Sequence, residues 1–555
     1  MQLQNSLPVR LQEVEPHRYI LDYGKTLVGG LRLGGEEWSG RAVLIRYGEV
    51  LGQDGAVKFQ LATTNTYQDT WLMPETSALS ETWGLRVFRY AEVLNAPRGL
   101  SPADFAAINH VYPEDFVGKQ SSSNAVLDRI WELSRATLES SNGNLYVDSW
   151  TREREPYEAD AYLQMRANFA VGSDTALAAY SLEYLMTRRT WPTEWPMYIV
   201  LAVHDYYMET GDLEFVSRHR EVLAEKLPLQ WLDPKTGLLG KDEGSDGSQG
   251  RPDCDIVDWP RSERDGYVFA YYNTVVNAIG YRSLICMATL ESALGHAESA
   301  GRLSRIAARL RSAMNELLYD GNTGAYRDGL YQDLTPIDHH AVHATAFPLA
   351  WGVPEHTNYA QLAQHLLLRG MNCSVYAAPF FLEALAIAGG PEEVVGFITG
   401  QGIRGWKHML DLGAGSTMEA WDESLKPNLT HSHPWAASPT FLVSEVLMGI
   451  SPLAPGFSHF TVRPQCSGLE RLHVERPTVR GTIKATWTPN EHRLEIDVPG
   501  GCSATVALPS NTANATIKSY AEQDLATPIE VGPGQYVVGI RNNRYFVTPV
   551  SSGQL

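Results

Sequence analysis

The chain has 555 residues, which is enough for several domains at about 100–200 residues each. Hydrophobic residues make up 44% and charged residues 20%, a composition that excludes a disordered chain, a collagen and a small disulfide-stapled domain. Lys and Arg number 45 against 64 Asp and Glu, so the formal net charge is −19. Because an acidic surface repels phosphate groups, we expect no nucleic-acid partner and no binding to anionic membranes.

The sequence carries no signal for membrane insertion or export. It has no run of about 20 apolar residues, and residues 1–6 lack the basic and apolar regions of a secretory signal. The five cysteines are scattered, odd in number and form no CxxC pair, which is typical of a reducing compartment. We therefore expect a cytoplasmic location.

Residues 1–118 and 451–555 are predicted to form two β-domains. Short apolar runs, such as residues 42–45 and 85–90, alternate with glycine-rich turns in the N-terminal stretch. The C-terminal stretch has similar runs, such as residues 493–498, separated by turns rich in Pro and Gly. Each end is therefore predicted to be a β-sandwich or jelly roll.

Between these ends, residues 119–450 place apolar side chains at helical spacing in about twelve windows. Twelve helices between two β-domains favour six helical hairpins closed into a barrel. An open solenoid is the alternative, but the chain has no repeat of the fixed lengths typical of solenoids. The predicted fold class is multidomain, with a central all-α (α/α)6 barrel flanked by N-terminal and C-terminal β-sandwich or jelly-roll domains.

The first chemically distinctive segment precedes a helix that Pro156 is predicted to open. It gathers acidic, basic and aromatic side chains at the mouth of that helix: Asp148, Arg152, Glu153, Tyr157 and Asp160. Tyr157 and Asp160 are three positions apart and therefore share a helix face. A run of this kind, taken alone, is more often a solvated loop with ordinary ion pairs.

A second segment, residues 415–435, holds Glu419, Trp421 and His433. Taken alone, it is a loop between helices whose tryptophans pack in the core. Glycoside hydrolysis, however, requires two carboxyl groups, one to protonate the leaving oxygen and one to activate water or attack the anomeric carbon. Aromatic side chains combine an apolar face with a polar tip, which suits a sugar ring and its hydroxyls. The two segments together therefore predict a carbohydrate-active site.

Four stretches carry a family resemblance: Tyr-Ile-Leu-Asp-Tyr-Gly-Lys-Thr-Leu-Val-Gly-Gly at residues 19–30, Arg-Tyr-Gly-Glu-Val-Leu at 46–51, Val-Phe-Arg-Tyr-Ala-Glu-Val at 87–93, and the region from Trp421 to residue 457. In combination they resemble the α-L-rhamnosidases of glycoside hydrolase family 78. The resemblance implies the fold predicted above and the hydrolysis of terminal, non-reducing α-L-rhamnose from small rhamnosides or oligosaccharides by an inverting mechanism.

The resemblance also implies roles for individual residues. Asp148-Ser-Trp-Thr-Arg-Glu-Arg stands where the family has Asp-Cys-Pro-x-Arg-(Asp)-Glu-Arg, so Glu153 matches the general acid. Glu419, within Thr-Met-Glu-Ala-Trp, matches the general base. The residues expected to bind the sugar are Asp148, Arg152, Tyr157, Asp160, Trp195, Asp258, Trp259, Trp421 and His433. Ser149-Trp150 replaces Cys-Pro, a departure that bears on the shape of the subsite more than on the reaction.

The sequence gives less support to other functions. The chain has no Walker loop, GxSxG, CxxC or HExxH motif. His339 and His343 have a spacing that can chelate zinc on a helix, but the Glu of HExxH and a third ligand are lacking. We therefore expect no cofactor and no metal.

The expected partner is a small-molecule rhamnoside, and a homodimer is left open. Two alternative functions remain: another inverting (α/α)6-barrel glycosidase with a different sugar specificity, and a non-catalytic carbohydrate-binding homologue.

Overall fold

The computed structural model describes residues 1–82, 84–241, 254–465, 468–509, 528–541 and 544–550. It contains an N-terminal β-sheet, a central ring of helices and a C-terminal pair of β-sheets. Among the residues described, no helix combines the length and the apolar character that crossing a lipid bilayer requires.

The N-terminal part is one eight-stranded sheet. Its strands are β1 (Gln2–Ser6), β2 (Arg10–Glu15), β3 (Arg18–Leu33), β4 (Ala42–Gly48), β5 (Gln68–Leu72), β6 (Ser80–Glu81), β7 (Arg86–Leu94) and β8 (Ala106–Val111). The strand order is β1-β8-β3-β7-β4-β5, with β2 and β6 also paired to β3. Alternate residues of β4, such as Val43 and Ile45, are buried, as expected for a strand with one face on a core. The sheet has a hydrophobic core of its own.

In the central part, the described residues form helices, connecting loops and four two-residue strands. The helices are α1 (Ala125–Ser141), α2 (Glu158–Phe169), α3 (Ala176–Met186), α4 (Trp195–Thr210), α5 (Leu213–Glu225), α6 (Thr274–Ala293), α7 (Ala297–Ala313), α8 (Val342–Ala350), α9 (Tyr359–Arg369), α10 (Ala378–Ile387), α11 (Pro391–Thr399), α12 (Trp406–Asp411) and α13 (Pro439–Phe441). Strand β9 (Lys119–Ser122) precedes them, and the short strands are β10 (Tyr272–Asn273), β11 (Tyr319–Asp320), β12 (Ala325–Tyr326) and β13 (Gly329–Leu330).

Alternate helices form an inner ring. Helices α2, α4, α6, α8 and α10 contact one another in turn, and α13 with the π-helical turn Leu442–Leu447 closes the ring between α10 and α2. The sequence reflects these positions: α4 is buried over most of its surface, whereas α7 buries a single stripe that includes Leu303, Ala307 and Leu310. An inner helix has neighbours on all sides, and an outer helix keeps one face in water.

The C-terminal part consists of two sheets. Its strands are β14 (Ser451–Ala454), β15 (His459–Val462), β16 (Leu472–Arg476), β17 (Ile483–Thr488), β18 (Arg493–Val498), β19 (Ser503–Val506), β20 (Ile529–Val531), β21 (Gly534–Arg541) and β22 (Arg544–Pro549). One sheet has the order β14-β15-β19-β20 and the other β22-β21-β18-β17-β16-β9. Strand β9 therefore pairs with the C-terminal sheet, although it precedes the helices in the chain. These sheets share one continuous hydrophobic core with the helical ring.

Arg476 links the C-terminal sheet to the inner ring. It lies at the end of β16 and is fully buried, and its Nη2 is 2.8 Å from Glu209 Oε1 and 3.1 Å from Glu445 Oε1. Glu209 belongs to α4, and Glu445 to the turn that closes the ring. Two partly buried carboxylates of the ring thus share one fully buried cation from another domain.

We expect Arg476→Ala to lower the free energy of unfolding by about 3–5 kcal/mol, because the substitution removes a buried cation and leaves the carboxylate of Glu209 without this partner. Urea unfolding followed by circular dichroism measures the loss. The matched control is Arg493→Ala, since the side chain of Arg493 is 43% exposed and pairs with Glu495 at 3.0 Å. Its expected effect is below about 0.5 kcal/mol. Equal losses in the two variants would contradict this role for Arg476.

Candidate active site

A pocket of about 220 Å³ opens at the N-terminal ends of the inner helices. Tyr157 directly precedes α2, and Trp195 is the first residue of α4. The pocket is lined by Asp148, Arg152, Glu153, Tyr157, Asp160, Trp191, Trp195, Ile256, Trp259, Glu419, Lys426, Asn428, His433 and Trp435. Helix N-termini carry partial positive charge, which favours carboxylates at this end of the ring. Both predicted catalytic residues and most of the predicted sugar-binding residues therefore meet in one place.

The loop that carries Glu153 is folded back on itself. Asp148 N donates to Glu155 O at 2.9 Å, and Glu155 N donates to Asp148 Oδ1 at 3.0 Å. This closure presents Glu153 at the rim of the pocket, where its side chain is 40% exposed. The Tyr157 hydroxyl donates a hydrogen bond of 2.6 Å to Glu153 Oε2 and orients the carboxyl group.

Glu419 is buried and surrounded by donors. Its Oε1 is 3.0 Å from both Arg152 Nη2 and Lys426 Nζ, and its Oε2 accepts from Thr430 N at 2.9 Å. Burial raises the pKa of Glu419, but His433, Lys426 and Arg152 outweigh it and hold the pKa below its usual value. Glu419 is therefore a carboxylate at neutral pH.

Arg152 lies between the two predicted catalytic residues. Its Nη2 donates to Glu419 Oε1, and its Nε is 3.1 Å from Glu153 Oε1. Its Nη1 donates to Asn428 O at 2.9 Å. One planar guanidinium therefore holds both carboxyl groups at the same pocket and keeps them from touching each other.

Asp148 and Asp160 form a second acidic pair deeper in the site, and both are buried. Burial raises the pKa of Asp148 to about 7, reinforced by the nearby Asp160 and Glu153 and opposed by His433. Burial also raises the pKa of Asp160, whose Oδ1 is 3.0 Å from His433 Nε2. Near neutral pH this part of the pocket can therefore both donate and accept hydrogen bonds.

Aromatic rings form one wall of the pocket. The ring centroids of Tyr157, Trp191 and Trp195 lie 5.8–6.1 Å from one another. These distances are typical of stable aromatic contacts, so the three rings support each other as a rigid surface. Trp259 and Trp435 extend the aromatic lining.

Several polar atoms of the lining residues have no hydrogen-bond partner within the described protein: Asp148 Oδ2, Asp160 Oδ2, Trp191 Nε1 and Trp195 Nε1. Buried polar groups are almost always paired, so unpaired ones at a pocket indicate ligand or solvent contacts. Two carboxyl oxygens and two indole N–H groups beside an aromatic wall match a compact molecule with several hydroxyls.

Two predicted sugar-binding residues do not reach the pocket. Asp258 is fully buried, where its carboxylate accepts from the Ser374 hydroxyl, from Ser374 N at 2.9 Å and from Trp259 N at 2.7 Å, and contacts His343 Nε2 at 2.6 Å. The expectation of direct sugar contact is therefore corrected: Asp258 anchors the backbone that carries Trp259.

Trp421 is also fully buried and lies outside the pocket. Its Nε1 donates to Cys373 O at 2.7 Å, and its ring meets that of Trp406 edge-on at 4.9 Å. The helix-to-helix loop therefore uses this tryptophan for packing, and the prediction that it contacts sugar is wrong for this structure.

The sequence analysis missed several lining residues: Trp191, Ile256, Lys426, Asn428 and Trp435. A usable signal existed for two of them. Trp191 comes four residues before Trp195, ahead of α4, and Lys426 follows Glu419 within the same loop. A lysine near a carboxylate in sequence, however, is usually a surface residue, and only the fold shows that Lys426 is buried.

The histidines considered as metal ligands do not converge. His339 pairs with Asp328 at 2.6 Å, whereas His340 contacts Asp320 at 3.1 Å. His343 is the residue that contacts Asp258. Among the described residues, no group of three or more His, Cys, Asp or Glu side chains is placed to hold a metal ion.

A larger cavity of about 370 Å³ lies at the opposite, C-terminal ends of the inner helices. Phe169 at the end of α2 and Glu209 near the end of α4 line it. Its central Arg166 is already paired, at 2.6 Å with Glu383 and 2.7 Å with Glu445. Neither predicted catalytic residue lines this cavity, so we place the site at the other end of the ring.

Family profiles match the chain in three consecutive parts. The bacterial alpha-L-rhamnosidase concanavalin-like domain matches residues 12–111, the six-hairpin glycosidase domain of the same family matches residues 115–445, and its C-terminal domain matches residues 449–520. The chain belongs to the bacterial α-L-rhamnosidase family, glycoside hydrolase family 78. The predicted family and the predicted fold class are thereby confirmed. No functionally curated protein sequence matches this family 78 chain.

Solved structures share the fold at low sequence identity. The α-L-rhamnosidase of Dictyoglumus thermophilum has a TM-score of 0.81 and 18% identity over 96% of this chain and 63% of its own. The Streptomyces avermitilis α-L-rhamnosidase, complexed with L-rhamnose, has a TM-score of 0.79 and 16% identity over 97% and 53%. The Klebsiella oxytoca rhamnosidase, with rhamnose bound, has a TM-score of 0.63 and 15% identity over 80% and 95%. This chain thus spans 63% of the length of the first of these proteins and 53% of the length of the second.

The raised pKa of Asp148 predicts a pH-dependent stability. With a pKa of about 7 against an ordinary value of 3.8, the folded protein binds more protons at this site than the unfolded chain does between those pH values. Stability therefore falls as the pH rises through this window. Asp148→Asn cannot ionise, so we expect the variant to gain stability relative to the original protein between about pH 5 and about pH 8.

Urea unfolding at the two pH values tests this expectation. The control is Asp338→Asn, whose side chain is fully exposed. It should show the same pH dependence as the original protein. A pH-independent difference for Asp148→Asn would contradict the raised pKa.

Proposed function

We propose that this protein is an α-L-rhamnosidase that removes terminal, non-reducing α-L-rhamnose from small rhamnosides or oligosaccharides. The observation that carries the proposal is the pocket in which Glu153 and Glu419 meet around Arg152 beside an aromatic wall. Membership of a family of glycoside hydrolases supports the reaction type.

The two carboxyl groups suit different tasks. Glu419 is buried and kept ionised by its cationic neighbours, so it serves as the general base that takes a proton from the attacking water. Glu153 stands at the exposed rim, where a leaving aglycone would exit, and serves as the general acid. Burial raises the pKa of Asp148 to about 7, so a fraction of this carboxyl group is protonated near neutral pH and can donate to a sugar hydroxyl.

The size and lining of the pocket support a single terminal sugar. About 220 Å³ is less than the roughly 300–1,000 Å³ of pockets for drug-sized ligands. Ile256 adds an aliphatic surface to the aromatic lining, which suits the methyl group of a 6-deoxy sugar such as rhamnose. The alternative, an inverting glycosidase of the same fold with another sugar, shares the carboxyl pair and differs in this specificity.

The first test is hydrolysis of p-nitrophenyl α-L-rhamnoside by the original protein, Glu153→Gln and Glu419→Gln. We expect turnover by the original protein and losses of about 10²–10⁴-fold in both variants, because each removes a proton-transfer group. Glu155→Gln is the matched control, since Glu155 lies in the same loop with an exposed side chain.

Each result has a separate meaning. A folded protein that does not cleave the rhamnoside contradicts the sugar specificity, and a panel of other aryl glycosides then identifies the sugar. Rates in Glu153→Gln and Glu419→Gln equal to that of Glu155→Gln contradict the assigned roles. Binding of rhamnose without turnover favours the carbohydrate-binding alternative.

We further propose that hydrolysis inverts the anomeric configuration. Inversion requires room for a water between carboxyl groups about 6.5–9.5 Å apart, and Arg152 between Glu153 and Glu419 supports such a gap. Proton NMR during the first minutes of the reaction should show β-L-rhamnose before mutarotation. If α-L-rhamnose appears first, the enzyme retains configuration and Glu419 is a nucleophile.

A further inference from the structure

Glu49 is a buried carboxylate in the N-terminal β-domain. It directly follows β4 and is 3% exposed. Burying a charge is unfavourable unless hydrogen bonds compensate, so the partners of this side chain indicate what it does. It is not among the residues that line the pocket.

The two oxygens of Glu49 bind two different loops of the helical barrel. Oε1 accepts from the Thr151 hydroxyl at 3.0 Å, and Thr151 immediately precedes Arg152 and Glu153. Oε2 accepts from His431 N at 3.4 Å. The residue before His431 is Thr430, whose backbone N–H donates to Glu419. Glu49 thus binds a residue two positions before Glu153, and it also binds the neighbour of the residue that donates to Glu419.

Other N-terminal residues hold the loop of Glu153 at the same place. The Tyr67 hydroxyl donates to Thr151 O at 3.1 Å, and Arg154 Nη2 donates to Leu85 O at 3.1 Å. Trp150 packs against the hydrophobic core of the N-terminal sheet. The loop therefore has contacts with the β-domain on both sides of Glu153.

The loop of Glu419 has matching contacts. Thr26 N donates to Gly415 O at 3.1 Å, and a Cβ at Gly415 would lie only 2.8 Å from Thr26 Oγ1, so the close approach requires glycine. Lys58 Nζ is 2.7 Å from Glu423 Oε1, which is 3.3 Å from His431 Nε2. Both catalytic loops therefore rest on one β-sheet, and Glu49 is the side chain that binds both.

Inside the pocket, the loops are joined through Arg152, which contacts Glu419 and Asn428 O. A substrate that enters the pocket competes for these groups. Neither Thr151 nor His431 lines the pocket, so the Glu49 contacts lie outside it.

We infer that Glu49 is a positioning residue that ties the loop of Glu153 to the loop of Glu419 and so sets the placement of the two carboxyl groups. The inference rests on the proposed function for its catalytic consequence. On this inference the N-terminal β-domain helps to build the active site, through contacts that lie outside the pocket.

The experiment compares Glu49→Ala, Glu49→Gln and Thr151→Val in the full chain, with Glu92→Gln as control. Glu92 is a fully buried carboxylate of the same sheet that pairs with Arg18 and Arg46. We expect kcat on p-nitrophenyl α-L-rhamnoside to fall by about 10–100-fold in Glu49→Ala with KM nearly unchanged, because misplaced catalytic groups affect the transition state more than substrate binding.

Glu49→Gln and Thr151→Val are milder changes and should lose less activity than Glu49→Ala. Glu49→Gln keeps one acceptor oxygen, and Thr151→Val removes one of the two contacts. Glu92→Gln should keep the original kcat. If Glu49→Ala does not fold, Glu49→Gln and Thr151→Val decide the question by the same kcat-against-KM comparison.

Amide hydrogen exchange separates this inference from the proposed function. Segments 148–155 and 415–433 should exchange faster in the Glu49 variants and not in Glu92→Gln, whether or not the protein cleaves rhamnosides. The inference is overturned if exchange in both loops is unchanged, or if Glu92→Gln loses as much kcat as Glu49→Ala. Absence of turnover by the original protein, with the expected exchange result, refutes only the proposed function.

Discussion

The site depends on the ion pair between Arg152 and Glu419. A carboxylate buried at a pocket wall is unfavourable unless cations compensate it, and Arg152 and Lys426 compensate Glu419, while Arg152 also donates to Asn428 O. The same guanidinium lies beside Glu153, so the arrangement that neutralises the buried charges also brings the two carboxyl groups to one pocket. Arg152 therefore both compensates the buried charge of Glu419 and holds Glu153 at the same pocket.

The helical ring supplies the frame for this arrangement, while loops carry Glu153 and Glu419. Parallel inner helices direct their N-termini to one end, where partial positive charge favours acidic side chains. Loops alone would leave Glu153 and Glu419 loosely placed, since irregular segments are the more mobile parts of a protein. The N-terminal sheet compensates through contacts such as Glu49 with Thr151 and Lys58 with Glu423. The three parts of the chain therefore act as one unit at the pocket.

Prediction from sequence succeeded for the fold class, and the two carboxyl groups it singled out line one pocket. Periodicity separates β-ends from a helical middle because each element must bury one face, and the family motif locates Glu153 and Glu419. It failed for Asp258 and Trp421, which are buried behind the pocket although they lie beside motif residues in sequence. Neighbouring residues on a loop point in different directions, and no sequence pattern reports those directions. Lys426 was missed for the converse reason, since burial of a lysine is rare.

The sequence by itself determined the order of a β-domain, a helical barrel and a second β-domain, and it singled out the two carboxylate segments that meet at the pocket. These follow from hydrophobic spacing and from residue type, which are local properties of the chain. Only the tertiary structure decided that Arg152 pairs with Glu419, that β9 joins the C-terminal sheet and that Glu49 binds both catalytic loops. Such contacts join residues that are distant in sequence, and their geometry is set by packing of the whole chain.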